Sequence, residues 1–305
     1  MHASAFLTWF NQFDWALTPA EYTAFGVDVP MGTSVVDGFV VMPGREDLAW
    51  MRRRKEVWAW RKLKKARRWS RILARIPWVR MIAIGNALGY GNCANASDID
   101  LVIITTPKRV WSVRLCVVTL LHLFRQRPGE HGVDALCPSF FLTTEAMNLE
   151  MVQLPPPSSS RPSEASGEIA HRMPNDPYVL WWATQLTVLF DRNGTYEAFW
   201  RANERWVRRL LPDAQPRAAH PRLAVRHCEE PRDEAIPVQG SVTHSMFDRI
   251  EHWCRAFQER RFAPEVRALV NRDTRVIATD RMLKFHTRDR RAEYRERWMH
   301  AARGA

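Results

Sequence analysis

Apolar residues recur at helical spacing from 48 to 76, where Leu48, Met51, Trp58, Leu63, Ala66, Trp69, Leu73 and Ile76 share one side and Pro77 ends the run. This predicts one long amphipathic helix. Upstream, Thr18-Pro19-Ala20-Glu21 reads as a capping box with proline at the first helical position. Residues 35–42 (VVDGFVVM) read as strand, turn, strand, closed by Pro43-Gly44. Helices followed by a hairpin predict a winged-helix-like unit over 1–50.

Between 77 and 145 the period changes. Residues 79–85 (VRMIAIG) and 98–105 (DIDLVIIT) predict strands around a loop, 109–125 a helix, and 134–142 (DALCPSFFL) a third strand. Residues 154–168 (LPPPSSSRPSEASGE) have the composition of a linker. Residues 169–211 and 244–303 read as helical. The stretch 212–243 has no usable period and is rich in proline, so it is expected to be a disordered insertion. The fold class is therefore α+β: a small mixed β-sheet core over 51–150 with flanking helices, a linker over 151–168, and a helical C-terminal half over 169–305.

Charge sharpens one element of this picture. The chain of 305 residues carries a formal net charge of +12. Thirteen Lys or Arg residues against a single acid, Glu56, lie within 51–80, so the rest of the chain is balanced. The long helix thus has a strongly basic face, either simply solvated or attracting the phosphates of RNA or DNA along 52–75. The five cysteines show no metal-ligand spacing, which excludes a zinc ribbon. The N-terminus lacks the pattern of a signal peptide, and no apolar run reaches the ~20 residues of a bilayer span. A reduced, cytoplasmic protein with no membrane partner is expected.

The chemistry-bearing residues are Gly85-Asn86 and, shortly after, Asp98-Ile99-Asp100. Residues two apart on a strand share a face, ~6.6 Å apart along the backbone. Two carboxylates so placed can ligate hard cations such as magnesium, and an apolar strand directly after them gives packing little use for the pair. The glycine turn upstream lets backbone N–H groups approach a phosphate closely. Gly89-Tyr90-Gly91-Asn92-Cys93-Ala94 matches a dinucleotide fingerprint, but the strand that follows so soon leaves no room for the helix it requires.

The block IAIGNALGYGNCANASDIDLVIIT resembles the signature of the DNA polymerase beta-like nucleotidyltransferase superfamily, and the chain is similar to a group of predicted bacterial nucleotidyltransferases. Weaker similarity runs through FWRANERWV and LKFHTRD. The resemblance implies a nucleotidyltransferase core. It also implies a nucleoside triphosphate substrate, most simply ATP, two magnesium ions, and transfer of a nucleotide to an acceptor hydroxyl. Asp98 and Asp100 would be catalytic metal ligands, and Gly85 and Asn86 would bind phosphate, with asparagine standing where the family has serine. A third carboxylate is implied on the third strand. Asp134 fits that place as ligand or base, or else is a turn residue ahead of the strand; Glu145 is a second choice. Arg114 is a further phosphate contact or a surface ion-pair partner, and His286 reads as structural. A catalytically silent nucleic-acid-binding or regulatory protein is the alternative function.

Overall fold

The computed structural model describes residues 3–130, 132–156, 174–216 and 241–303. Its elements in chain order are α1 (Ala3–Asn11), α2 (Pro19–Ala24), β1 (Ser34–Val36), β2 (Phe39–Val41), α3 (Asp47–Leu73), β3 (Val79–Ile84), the single turn α4 (Asn86–Gly89) and β4 (Ile99–Thr105). There follow α5 (Val110–Leu123), β5 (Leu136–Thr143), a 3-10 turn (Glu150–Val152), α6 (Pro177–Thr184), β6 (Thr187–Asp191) and α7 (Thr195–Leu210). The chain closes with α8 (Ser241–Glu259), α9 (Pro264–Leu269), β7 (Val276–Ala278), β8 (Met282–Phe285) and α10 (Arg291–Arg303).

Six strands form one mixed sheet in the order β6-β3-β4-β5-β8-β7. The pair β4–β5 is parallel and the other pairs are antiparallel. Alternation along the strands sends Met81, Ala83, Val102, Ile104, Phe140, Leu142 and Met282 to one face, and Ile82, Ile84, Leu101, Ile103, Phe141 and Leu283 to the other. The first face is covered by α1, α6, α7 and α10, with an aromatic cluster that includes Phe6, Trp9, Trp181, Trp206 and Trp298. The second face is covered by α3, α5 and α8. The protein is thus α+β in three layers, helices on both sides of a mixed sheet.

The hairpin, α3, β3, β4, α5 and β5 lie where the hydrophobic pattern predicts them. The capping box forms as well, with the Glu21 N–H donating to the Thr18 hydroxyl and the Thr18 N–H to Glu21 Oε2 at 2.7 Å. The C-terminal half departs from the all-helical expectation by contributing β6, β7 and β8. Residues 178–190 form one largely apolar run without a charged residue, which helical periodicity alone does not divide. The division falls at Gln185, after which β-branched Thr187 and Val188 pair with β3. Helix α1 is not set apart from the rest, because its buried residues belong to the same apolar cluster as α6, α7 and α10. Most of the proline-rich 212–243 segment and of the linker lies outside the described residues. No helix among the described residues is long and apolar enough to cross a membrane.

Candidate functional site

Strand β3 ends at Ile84, and the N–H of the next residue, Gly85, donates to the Asp100 carbonyl at 3.2 Å. Glycine is required here, since a Cβ would lie 2.1 Å from Trp182 Nε1. Asn86 follows with φ of 54°, a left-handed conformation that asparagine tolerates better than most residues. Its side-chain amide does not reach out for a phosphate but donates to Asp100 Oδ2 at 2.6 Å. The Gly85–Asn86 turn and the start of β4 are therefore tied together by backbone and side chain.

Asp98 and Asp100 are half-buried at the start of β4. Burial pushes the Asp100 carboxyl up to about 6; the Asn86 bond opposes this and the charge of Asp98 adds to it. Burial also raises Asp98, against the attraction of Lys62. Lys62 thus offsets burial at Asp98 only in part, and no cation offsets it at Asp100. Asp100 and Asn86 open onto a cleft of about 290 Å³, whose other walls include Tyr178, Trp182, Lys284, His286 and Arg288.

Asp134 has a different fate. It precedes β5 with φ of 63°, and both its oxygens are occupied, by Arg61 at 2.6 and 2.9 Å and by Lys62 at 2.6 Å. Burial pushes its carboxyl up, but these two cations outweigh burial and leave it below the usual range. Lys62 also donates to the carbonyls of Asn95 and Ser97. Asp134 is therefore one half of a clamp that fixes the loop leading into Asp98, with both its oxygens engaged by Arg61 and Lys62. Glu145 lies beyond the far end of β5 beside Arg281, 3.7 Å away. The register of β5 sets Cys137, not a carboxylate, opposite Asp100. Arg114 sits on the other face of the sheet, donating to Gln258 Oε1 at 2.6 Å and lying over the Phe285 ring.

The structure adds Lys284, which the pattern did not single out, and sets His286, expected to be structural, in the same cleft. Lys284, on β8, is buried and donates to the Thr274 carbonyl and to Asp289 Oδ2 at 3.1 Å. Burial and neighbouring Arg291 lower its pKa to about 8, against the pull of Asp289. His286 Nε2 lies 3.2 Å from the Ser139 hydroxyl, and burial, then Lys284, lower its pKa to about 4. A signal existed for both: Met282, Lys284 and His286 alternate along β8, so the apolar face turns polar where it meets the cleft.

Two carboxylates with a cleft beside them suit one divalent cation of magnesium type, which takes one or two protein carboxylates and completes its shell with water and phosphate oxygens. Among the described residues no set of three His, Cys, Asp or Glu side chains converges as a metal site. Comparison with family profiles, curated proteins and solved structures gives no match to this chain.

Proposed function

We propose that this protein is a magnesium-dependent nucleotidyltransferase, with the nucleotidyltransferase fold, that passes a nucleotide from a nucleoside triphosphate, most simply ATP, to an acceptor hydroxyl. One observation carries the reading: Asp100, tied to the Gly85–Asn86 turn, lines a cleft together with Lys284 and Arg288, and Asp98, two residues ahead of it, is near enough for its charge to raise the Asp100 carboxyl. A bound divalent cation would supply positive charge to the phosphates at these carboxylates. Asn86 orients Asp100, the Arg61–Lys62–Asp134 clamp fixes the approach to Asp98, and the cleft walls hold the triphosphate. In the transfer, the acceptor oxygen bonds to the α-phosphorus while the bond to the bridging oxygen breaks. Pyrophosphate leaves, and the hydroxyl proton passes to water.

The donor set favours one metal ion over the two that the family resemblance implies, since Asp134 and Glu145 are both engaged elsewhere. The test is incubation with magnesium, α-labelled nucleoside triphosphates and cell extract. Label is expected on RNA, protein or a small acceptor with wild type and not with Asp100→Asn. Failure of wild type to bind a non-hydrolysable ATP analogue with magnesium removes the reading.

A second reading, a catalytically silent nucleic-acid-binding protein, rests on α3. Arg54, Lys64, Arg68 and Arg71 are exposed along its outer side, Arg75 is exposed just past its end, and none of the five forms an ion pair among the described residues. Arg54 lies over Trp50 and Trp58 at 4.5 and 5.1 Å, and Lys64 over Trp60 at 5.2 Å. Such a row suits the phosphates of RNA or DNA. The order helix, helix, hairpin over residues 3–41 fits a winged-helix-like unit, which would serve the same reading.

A further inference from the structure

Strand β5 flanks β4 in parallel, yet the residues it brings to the cleft end are Cys137, Pro138 and Ser139. The next strand over, β8, places Lys284 opposite Phe140, and Lys284 lines the same cleft as Asp100. An ammonium has three N–H donors. Two are used, on Thr274 and Asp289, leaving one without an acceptor among the described residues. Lys284 is only 6% exposed, a costly place for a charge that one carboxylate, already shared with Arg291, compensates in part.

Trp182 forms another part of the cleft wall. Its indole N–H is buried, has no acceptor, and stands against Gly85 at the cleft. The cleft as a whole is also cationic. Lys284, Arg288, Arg290 and Arg291 line it against Asp100 and Asp289, and Arg288 at the rim has no ion pair among the described residues.

On the nucleotidyl-transfer reading above, we propose that Lys284 is a phosphate-binding residue of the cleft, its ammonium holding the substrate's polyphosphate on the side of the sheet where a third carboxylate and second metal ion would otherwise act. The site then works with one exchangeable divalent cation and one fixed ammonium. The pKa of about 8 leaves Lys284 charged at neutral pH, and an anion in the cleft would complete the compensation that Asp289 begins.

The test is calorimetry with inorganic tripolyphosphate in the presence of a chelator, so that Asp98 and Asp100 play no part. Wild type is expected to bind, and Lys284→Met to bind at least about tenfold more weakly, the loss typical of a charge-assisted hydrogen bond. The double variant Lys284→Met/Asp289→Asn, which leaves no acid unpaired by the change, guards against a single variant that does not fold; it should show the same loss. Absence of tripolyphosphate binding to wild type, or equal affinity in wild type and a folded variant, overturns the assignment. Electron paramagnetic resonance with Mn²⁺ and a non-hydrolysable ATP analogue should count one ion per chain; two ions would overturn the single-cation site. Loss of metal-dependent ATP-analogue binding with tripolyphosphate binding intact would instead count against nucleotidyl transfer alone.

Discussion

Asp100 and Asp134 both stand where the chain enters a central strand, and both are withdrawn from solvent, yet their surroundings are opposite. Asp134 accepts from a guanidinium and an ammonium, and its carboxyl is held below the ordinary range although burial pushes the other way. Asp100 accepts from an amide, faces a second carboxylate along the strand, and is pushed up to about 6. The same contrast runs through their neighbours. In the cleft, burial drives Lys284 down to about 8 and His286 down to about 4, while Asp289 beside them is held low, against burial, by Arg291 and Lys284. A clamp that satisfies its own charges has no further use for a ligand. A cleft in which, among the described residues, Asp100 has no paired cation and Arg288 no paired carboxylate has the electrostatics of a site that something else completes.

The largest effect expected from breaking this contrast is on the clamp. Lys62 has a side-chain exposure of 0%, so Asp134→Asn leaves a buried ammonium with backbone carbonyls alone. Removing one partner of such a pair is expected to lower stability by about 3 kcal/mol or more. Urea denaturation measures it, and Asp134→Asn/Lys62→Met should recover much of the loss. An Asp134→Asn protein as stable as wild type would mean the clamp is not structural, and would return Asp134 to the list of catalytic groups.

The next effect sharpens the cleft side. The pKa of His286 falls from 6.5 to about 4 on folding, through burial and then Lys284, with Asp289 opposing and Arg291 adding. The unfolded chain therefore binds the proton more readily. The stabilisation is fully present above pH 6.5 and is lost as pH falls through the window toward 4. A shift of this size corresponds to at most about 3 kcal/mol. Stability measured from pH 7 to 4 should fall more steeply in wild type than in His286→Gln; identical profiles would show that the ring is solvated in solution.

Smaller still is the expected stability change at the aspartate pair. Asp100→Asn removes a buried charge and its repulsion with Asp98, so stability should hold or rise by about 1 kcal/mol at neutral pH. Binding of a magnesium–ATP analogue should nevertheless be lost. A variant that loses stability as Asp134→Asn does would place both acids in the same structural class and dissolve the contrast.

How much of this was legible in the sequence follows from the range of the interactions. Strands β3, β4 and β5 and helices α3 and α5 follow from local alternation and periodicity. So does the β1–β2 turn, where Asp37 and Gly38 take φ of 52° and 86° as a two-residue hairpin demands. The aspartate pair and the glycine turn were legible because their spacing is local. The role of Asp134 was not, because its partners lie 73 and 72 residues upstream in a run that reads as uniformly basic. Lys284 was missed because residues 244–303 read as helical, and the alternation of Met282, Lys284 and His286 spans little more than the four residues of β8.

That basic run supplies the last and smallest effect on stability, because the structure divides it in two. Arg52, 6% exposed, pairs with Glu21 and Glu56 at 2.9 Å each and lies 3.7 Å from the centre of the Trp15 ring. Lys55 caps the carbonyls of Phe13 and Asp14, and Arg61 and Lys62 form the clamp. These residues hold the helix to the protein and are poor probes of nucleic acid. Arg68, Arg71 and Arg75 lie on the solvent side, so changing all three to Gln should alter stability by no more than about 0.5 kcal/mol per site. If α3 tracks phosphates, each lost contact should reduce the slope of log affinity against log salt for RNA or DNA by about one unit. An unchanged slope, or no polynucleotide binding even at low salt, would leave this row as a solvated face. The cleft would then be the protein's anion site without the helix.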